Sequence, residues 1–523
     1  MVKKATKKER KRENLRHSAP KDGGDIQPSP ESVGIELVFG LVGPTGVDLS
    51  AVCDALRSQL TAVGYNAVIV SLSELIPWYV HRSFNHTNEY ERIERLMSMG
   101  TALRAQTKQP DIVGRLGIAK IQSIREEQHG ARNKPLPRTA YIVRSFKRPE
   151  EAQLYRDVYG KAFTLISVYS PRSARITHME RKFSSSPQTR GKSEQYAVEL
   201  INRDYAEEGG KKYGQSVGET FPLADYFVTS GSAAELDKNI RRLIRLTFGD
   251  PYISPTCDEQ GMFFAQAAAL RSLDLSRQVG AAVISRDGDL LTTGCNEVPK
   301  FGGGLYWNED TPCARDFELG HDFNATIKRE IVEDVFSQLR KAKWLSRDAR
   351  TKSDAELTEE SLSGQGAYIK NSKLFDVIEF GRAVHAEMAA ITQAAKNGIS
   401  LAGNRLFCTT FPCHICARHI VSSGISEVVF IEPYEKSRTN ELYEDSIAIE
   451  PNETPRKRAS FRAFVGVAPR RYMDLFQLTT SRKNSQGNIL GEEEIAKNPK
   501  IKRFVLTYLL VEDIIIQQTR PAN

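Results

Sequence analysis

Residues 385–416 carry the most restrictive pattern in the sequence. The motif HAE at 385–387 is followed by PCHIC at 412–416. His385, Cys413 and Cys416 offer one imidazole nitrogen and two thiolates, the three protein ligands of a Zn²⁺ site that keeps its fourth position open. The two cysteines begin a predicted helix, where their side chains share one side and the helix N-terminus favours the thiolate form. The pattern therefore predicts a zinc site supported by helices.

Glu387 is close to this predicted site but is not needed as a ligand. A carboxylate there can take a proton from a water activated by zinc, whose pKa falls to about 7, and pass it to a ring nitrogen and to leaving ammonia. H-x-E followed by P-C-x-x-C is the signature of zinc-dependent nucleobase deaminases. It predicts attack of water on C4 of cytosine. A CxxC pair alone would fit a structural zinc or a redox pair equally well.

Segments upstream extend the pattern. The motifs are FAQAAALRSLDLSRQVGAAV at 264–283, TGCNEVP at 293–299, VHAEM at 384–388 and FPC at 411–413. Together they resemble deoxycytidylate deaminases over most of 255–432. The resemblance implies that Asn296 holds the deoxyribose hydroxyl and that Arg277 lies near the phosphate. An amide can donate to and accept from a hydroxyl, and a guanidinium offers a fork to phosphate. A surface ion pair and a turn residue are the alternative interpretations for Arg277 and Asn296.

The sequence departs from that family in two places. Glu297 stands where the family has a glycine after the asparagine, and a polar, charged insertion occupies residues 300–372. Its segment FGGGLYW at 301–307 could shape a nucleotide pocket or a regulatory site, or form a flexible lid.

Residues 33–250 have a different pattern. Short apolar runs alternate with amphipathic stretches, which predicts a parallel sheet covered by helices on both faces. GPTGVDLS at 43–50 follows the first run and opens a helix, the context of a phosphate-binding loop. Gly43 and Ser50 fit that motif, but Asp48 and Leu49 replace its second glycine and its lysine. We therefore expect a P-loop kinase-like fold with impaired phosphoryl transfer, in which Gly43, Gly46 and Ser50 either bind a nucleotide or form a structural turn.

Composition narrows the remaining possibilities. A chain of 523 residues with 40% hydrophobic and 26% charged residues is typical of a soluble globular protein with two to four domains. It has no apolar run of roughly 18 residues and no secretory signal at its start. Seven cysteines, an odd number, favour a reducing compartment. We expect a cytoplasmic protein without a membrane segment.

Three regions are predicted along the chain. Residues 1–32 form a disordered basic tail, which is either a solubilising arm or a weak nucleic-acid contact. Residues 33–250 form the degenerate P-loop kinase-like domain. Residues 251–523 form a cytidine deaminase-like α/β/α domain that includes the 300–372 insertion, a mobile loop at 435–457 and a last strand at 504–510.

This two-domain architecture resembles the bacterial anti-phage dCTP deaminases. The resemblance implies deamination of free dCTP and dCMP to dUTP and dUMP, which drains the pyrimidine pool during phage infection. Some members are held inactive by a co-encoded small RNA, so such an RNA and a regulatory nucleotide are candidate partners, and we expect a homo-oligomer. Two other functions remain open from the residues alone: a polynucleotide cytidine deaminase and a nucleotide-sensing regulator.

Overall fold

The structure is a computed structural model. It describes residues 35–519 except 81–83, 188, 190, 208–211, 364–366, 378, 434–436, 452–456, 492–498 and 501–506. The predicted basic tail at 1–32 lies outside the described residues. None of the helices in the described part is both long and apolar enough to cross a membrane.

The first unit is built on a six-stranded sheet in the order β12-β5-β4-β1-β3-β2, in which β12 (Gly466–Val467) comes from a later part of the chain. All neighbouring pairs are parallel except β12 with β5. Its elements are β1 (Leu37–Val42), α1 (Leu49–Ala62), β2 (Asn66–Ser71), α2 (Leu72–Tyr79), α3 (Glu89–Thr107), α4 (Ile112–His129), β3 (Thr139–Arg144), α5 (Pro149–Tyr159), β4 (Phe163–Tyr169), α6 (Arg172–Ser184), α7 (Ser193–Tyr205), α8 (Val217–Thr220), β5 (Tyr226–Thr229) and α9 (Ala233–Thr247).

Burial explains why these strands are continuous apolar runs. All six residues of β1 are buried, and β3 and β4 are buried except at their last residue. Strands covered by helices on both faces have this composition because neither face meets water. The predicted α/β class and the parallel N-terminal sheet are confirmed.

The second unit has its own six-stranded sheet, in the order β10-β11-β9-β8-β6-β7. The pairs β6–β7 and β6–β8 are antiparallel, and the other pairs are parallel. Its elements are α10 (Cys257–Ala269), β6 (Gly280–Ile284), β7 (Leu290–Cys295), α11 (Asp316–Leu319), α12 (Phe323–Lys341), α13 (Asp354–Leu362), α14 (Ala386–Lys396), β8 (Arg405–Thr410), α15 (His414–Ser422), β9 (Glu427–Glu432), α16 (Thr439–Leu442), β10 (Ile447–Ile449) and β11 (Ala459–Ala463).

Glycines bring two helices close to this sheet. A Cβ on Gly280 would lie 1.9 Å from the carbonyl oxygen of Ala265 on α10, and a Cβ on Gly294 would lie 2.2 Å from the carbonyl oxygen of Ala386 on α14. Only a residue without a side chain allows such close approach of two backbones. These contacts fix the position of α14, which carries the candidate site.

The chain then returns to the first unit through β12 (Gly466–Val467), α17 (Pro469–Phe476) and α18 (Thr507–Thr519). Strand β12 pairs with β5. On α18, Glu512 is fully buried and its carboxylate pairs with Arg125 of α4 at 2.5 Å. Residues 251–523 therefore contribute to both units.

Two local predictions are wrong. The predicted strand at 504–510 overlaps α18, and residues 501–506 lie outside the described residues. The buried positions Tyr508, Leu509, Glu512 and Ile515 have helical spacing, so packing against α4 and α5 overrides the β propensity of the branched residues. The predicted mobile loop at 435–457 contains α16 and the strand β10, which pairs with β11.

Candidate active site

Two helix N-termini converge on the predicted metal ligands. His385 is the N-cap residue of α14, and Cys413 is the N-cap residue of α15. Cys416 follows on the first turn of α15 and is fully buried. Both helices thus direct the positive ends of their dipoles toward the ligand atoms, which favours thiolates there.

The three ligand atoms lie at the separations that a tetrahedral zinc site needs. Nδ1 of His385 is 3.3 Å from Sγ of Cys413 and 3.3 Å from Sγ of Cys416, and all three atoms lie within 4.8 Å of one another. Bonds of roughly 2.0 Å to nitrogen and 2.3 Å to sulfur require an N···S separation of about 3.5 Å. Hydrogen bonding from Cys416, then from His385, lowers the pKa of Cys413 to about 4. The donor set fits Zn²⁺.

Glu387 lies on the first turn of α14 beside this cluster. Its side chain is only 4% exposed, and it lines the same cavity as His385 and Cys413. Burial raises the pKa of the Glu387 carboxyl, and the nearby charge of Cys413 adds to that rise. A carboxyl whose pKa is raised toward neutrality can both accept and return a proton.

Asn296 and Arg277 line the same cavity. Oδ1 of Asn296 accepts from the N–H of Val279 at 2.7 Å, and Nδ2 donates to the carbonyl oxygen of Arg277 at 2.7 Å. The guanidinium of Arg277 is half exposed and pairs with Glu432 at 3.0 Å. The structure therefore brings both predicted residues to the zinc ligands, with Asn296 fixing the loop that carries Arg277.

The insertion supplies residues that sequence analysis missed. Asp316, Asp322 and Asn324 line the cavity, whose volume is about 230 Å³. Arg382, another lining residue, pairs with Asp316 at 2.8 Å. Trp307, from the motif at 301–307, lies against the guanidinium of Arg271, which is 3.4 Å from the ring centroid.

Glu297 ties the insertion to the site. Its buried carboxylate accepts from the N–H of Leu273 at 3.1 Å and from its neighbour Val298 at 2.8 Å. It also lies 3.4 Å from Nε of the buried Arg315. The departure from glycine at this position thus gives a carboxylate that anchors the insertion beside Asn296.

The backbone of the loop at 43–50 in the first unit is hydrogen-bonded to side chains of the same chain. The N–H of Thr45 donates to Asp204 at 2.6 Å, and Lys147 pairs with the same carboxylate at 2.8 Å. Asp48 caps α1 by accepting from the N–H of Ser50 at 3.0 Å. Gly43 is buried, whereas Ser50 is exposed.

Gly46, the third predicted residue of this loop, has a φ of 96° and packs against α6. A Cβ at this position would lie 2.9 Å from the carbonyl oxygen of Arg175. Both the positive φ and the close backbone contact require glycine.

The second unit is thus an α/β unit with a His/Cys/Cys metal site and a buried carboxylate beside it. The family model of the "Cytidine and deoxycytidylate deaminase zinc-binding region" matches residues 255–432, which contain all of these residues. The matched zinc-binding region and the donor cluster together confirm Zn²⁺ as the predicted cofactor.

Relatives of known sequence that this chain matches are named deoxycytidylate deaminases. The chain is 44% identical over 55 residues to the deoxycytidylate deaminase of Enterobacteria phage T2, covering 10% of this chain and 29% of the relative. It is 45% identical over 64 residues to a probable deoxycytidylate deaminase of Drosophila melanogaster, covering 12% and 30%. The chain thus spans less than a third of the length of these relatives.

Two solved structures are similar to parts of this chain. The dCMP deaminase of cyanophage S-TIM5, in complex with dCMP and dUMP, aligns with 41% of this chain and 100% of its own at 17% identity and a TM-score of 0.23. Shikimate kinase from Bacteroides thetaiotaomicron aligns with 40% of this chain and 97% of its own at 10% identity and a TM-score of 0.25.

Proposed function

We propose that this protein hydrolyses the C4 amino group of free deoxycytidine nucleotides, converting dCTP and dCMP to dUTP and dUMP with release of ammonia. The observation that carries this proposal is the buried Glu387 in the cavity formed by His385, Cys413, Asn296 and Arg277. One cavity is thereby lined by two of the three metal ligands, a proton carrier and side chains suited to a sugar and a phosphate.

Each residue has a defined task in this mechanism. When bound by His385, Cys413 and Cys416, Zn²⁺ supplies the Lewis acidity that makes water nucleophilic near neutral pH. Glu387 accepts a proton from the attacking water, delivers it to N3 of the base and assists departure of the amino group as ammonia. Water thus adds its oxygen at C4, and the deoxyuridine nucleotide and ammonia are the products.

Asn296 and Arg277 are the two residues that position the substrate in this mechanism. The amide of Asn296 retains a second N–H and a second lone pair on Oδ1 for the sugar hydroxyl. Arg277 lines the cavity but is half exposed, so a phosphate chain of either length would pass it and continue into solvent. This geometry supports both dCMP and dCTP as substrates.

The decisive experiment offers dCTP, dCMP, single-stranded DNA and single-stranded RNA in parallel and measures ammonia. We expect release from the free nucleotides, and none from the Glu387→Ala variant, which should retain about one zinc per chain because Glu387 is not a ligand. Turnover confined to the polymers would instead indicate a polynucleotide deaminase. Nucleotide binding without ammonia release by the wild type would indicate a sensing regulator.

An antiviral role is also proposed, on the resemblance of the two-domain architecture to anti-phage dCTP deaminases. Metabolite profiles of cells making the wild type or Glu387→Ala, with and without phage, should then show depletion of dCTP only with the active chain. A co-encoded small RNA as inhibitor and a homo-oligomeric state are part of the same proposal. Both can be measured, by ammonia release in the presence of that RNA and by light scattering.

A further inference from the structure

A second cavity lies in the first unit, away from the zinc ligands. It has a volume of about 210 Å³ and is bordered by the loop at 43–49, by α2, α3 and α6, and by the segment after β3. Much of its wall is apolar, including Ile76, Ile93 and Met97. Small-molecule sites combine such walls with a few convergent polar groups.

Three polar side chains that line this cavity keep unpaired atoms although those atoms are buried. Among the described residues, Nε and Nη1 of Arg104, Nε2 of His178 and Oε1 of Gln215 have no hydrogen-bond partner. Arg104 is only 2% exposed, and its remaining nitrogen Nη2 donates to Glu151 at 2.7 Å. Unpaired buried polar atoms destabilise the folded protein, so their convergence on one cavity points to a ligand that pairs with them.

The charged side chains of the cavity wall indicate the charge of that ligand. Four lining side chains are basic (Arg92, Arg104, Lys147 and Lys182), and Glu89 is the one lining carboxylate in the described part of the chain. Arg92 pairs with Glu89 at 2.7 Å and Lys147 with Asp204 at 2.8 Å, so Arg104 and Lys182 are the lining cations that face the ligand. Burial lowers the pKa of His178, so its imidazole is neutral near pH 7. Nη1 of Arg104 carries two N–H groups without a partner and can donate to an oxyanion, and Oε1 of Gln215 can accept a hydrogen from the ligand body.

Gly100 provides the space for this arrangement. It lies in the interior of α3, where glycine is less favourable than alanine. A Cβ at this position would point to the cavity, 3.4 Å from Nη1 of Arg104 and 3.4 Å from Cδ1 of Ile76. A side chain there would occupy the volume in front of the free guanidinium nitrogen.

The neighbouring loop cannot take the anion itself. Asp204, which is fully buried, already accepts from the N–H of Thr45 and pairs with Lys147. A carboxylate of the chain therefore sits where a phosphate would be held by a loop of this kind, and its charge repels a second anion. The donors without a partner are those of Arg104, on α3.

We propose that this cavity binds a small organic anion, with its oxyanion on Arg104, a hydrogen-bond donor on Gln215 and an apolar body against Ile76, Ile93 and Met97. Gly43 and Gly46 contribute backbone to the wall of this site, whereas the exposed Ser50 is not part of it. The oxyanion is a phosphate monoester or a carboxylate, and the site is separate from the zinc cavity.

The test is calorimetric titration of the full-length protein with inorganic phosphate, phenyl phosphate, AMP, dUMP and benzoate. We expect at least one of the organic anions to bind with a Kd below about 1 mM and inorganic phosphate to bind more weakly, because it lacks the apolar body. The phosphate and carboxylate probes identify which oxyanion the site prefers. If no organic anion binds, the proposal is wrong.

Two variants locate the binding. Arg104→Met should weaken it by at least about tenfold, the loss expected for hydrogen bonds to a charged group. Gly100→Ala should weaken it as well, and it preserves the fold because alanine favours the helix. Arg95→Met, on the same helix but exposed and paired with Glu91, is the matched control. Equal affinity in Gly100→Ala, Arg104→Met and Arg95→Met would place the ligand elsewhere and overturn the proposal.

Ammonia release from dCMP by the same variants separates this proposal from the proposed function. We expect Gly100→Ala and Arg95→Met to deaminate dCMP as the wild type does in the absence of added anion, because neither residue touches the zinc cavity. An inactive wild type that still binds an organic anion in an Arg104-dependent manner would refute the proposed function and leave this site intact.

Discussion

Nη1 of Arg277 lies 3.0 Å from Oε1 of Glu432, so the arginine proposed to contact phosphate is held by a carboxylate at the edge of the zinc cavity. Glu432 is the last residue of β9 and also accepts from the hydroxyl of Thr410 at 3.2 Å. Substrate phosphate would therefore compete with Glu432 for the guanidinium.

This competition gives opposite effects for two substitutions. Arg277→Ala should raise the KM for dCMP by roughly tenfold with little change in kcat, because a half-exposed charged hydrogen bond is lost. Glu432→Gln should lower the KM by a small factor, since it releases the guanidinium but can keep the bond to Thr410. Steady-state ammonia release checks both, and equal effects on deoxycytidine, which has no phosphate, would contradict the assignment.

Zinc content should depend on the ligand cysteines and not on the nearby Cys408. Cys416→Ser should lose the metal and the activity together, because a hydroxyl replaces a thiolate ligand. Cys408→Ser is the matched control: Cys408 is fully buried on β8, packs in the same core cluster and is outside the donor cluster. Metal analysis of the purified proteins should give about one zinc per chain in the control. Retention of zinc by Cys416→Ser would contradict the ligand set.

Gly294→Ala should displace α14 and thereby disrupt the metal site. The added Cβ would lie 2.2 Å from the carbonyl oxygen of Ala386 and 2.4 Å from the N–H of Ala390, so α14 must move, at a cost of about 1–3 kcal/mol or more. Because His385 and Glu387 belong to that helix start, we expect lower zinc content and activity. Gly231→Ala, whose Cβ meets nothing closer than 4.0 Å, should change neither property.

Glu512→Ala should release α18. The buried carboxylate of Glu512 pairs with Arg125, which also donates to Glu36 of the first unit at 2.8 Å. Removing one partner of a buried pair costs about 3–5 kcal/mol, so amide exchange in α18 should accelerate roughly a hundredfold or more. Asp54→Ala removes the partner of Arg57 in an exposed pair and should change local exchange less than about fivefold. Similar effects of the two substitutions would show that the buried pair does not hold the helix.

Tyr65 should make the first unit sensitive to alkali. Burial raises the pKa of its hydroxyl from 10.0 to about 12, and its ring packs against Phe248. Between these values the folded state binds more protons than the unfolded state, so stability falls as pH rises. From pH 9 to pH 11 the wild type should lose about 1 kcal/mol more than Tyr65→Phe, measured by denaturant unfolding. Parallel losses in both proteins would contradict a raised pKa at Tyr65.

The metal site was predictable because the residues that form it belong to short sequence motifs. The three ligands and Glu387 belong to two short motifs, each at the start of a helix, and the spacing of donors within a motif restricts the chemistry strongly. The sheet of the first unit was predictable for a similar reason, since strands buried on both faces are continuous apolar runs such as β1 and β4.

Contacts between distant parts of the chain were not predictable in this way. Asp204 reaches the loop at Thr45 from a helix 159 residues further along the chain, and nothing in the motif at 43–50 indicates it. Asp316, Asp322 and Asn324 come from a polar insertion without periodicity, so only folding brings them to the cavity. Residues 507–510 have the branched composition of a strand, but packing against α4 makes them helical.

The return of the C-terminal segment to the first sheet has a practical consequence for dissecting this protein. Separating the chain near residue 250, where the sequence changes character, would strip β5 of its neighbour β12 and leave Arg125 buried without Glu512. The other fragment would carry α18 with Tyr508, Leu509 and Ile515 newly facing water. Each half would then expose an apolar or charged surface that the intact polypeptide covers, so biochemical work on either unit calls for the undivided chain.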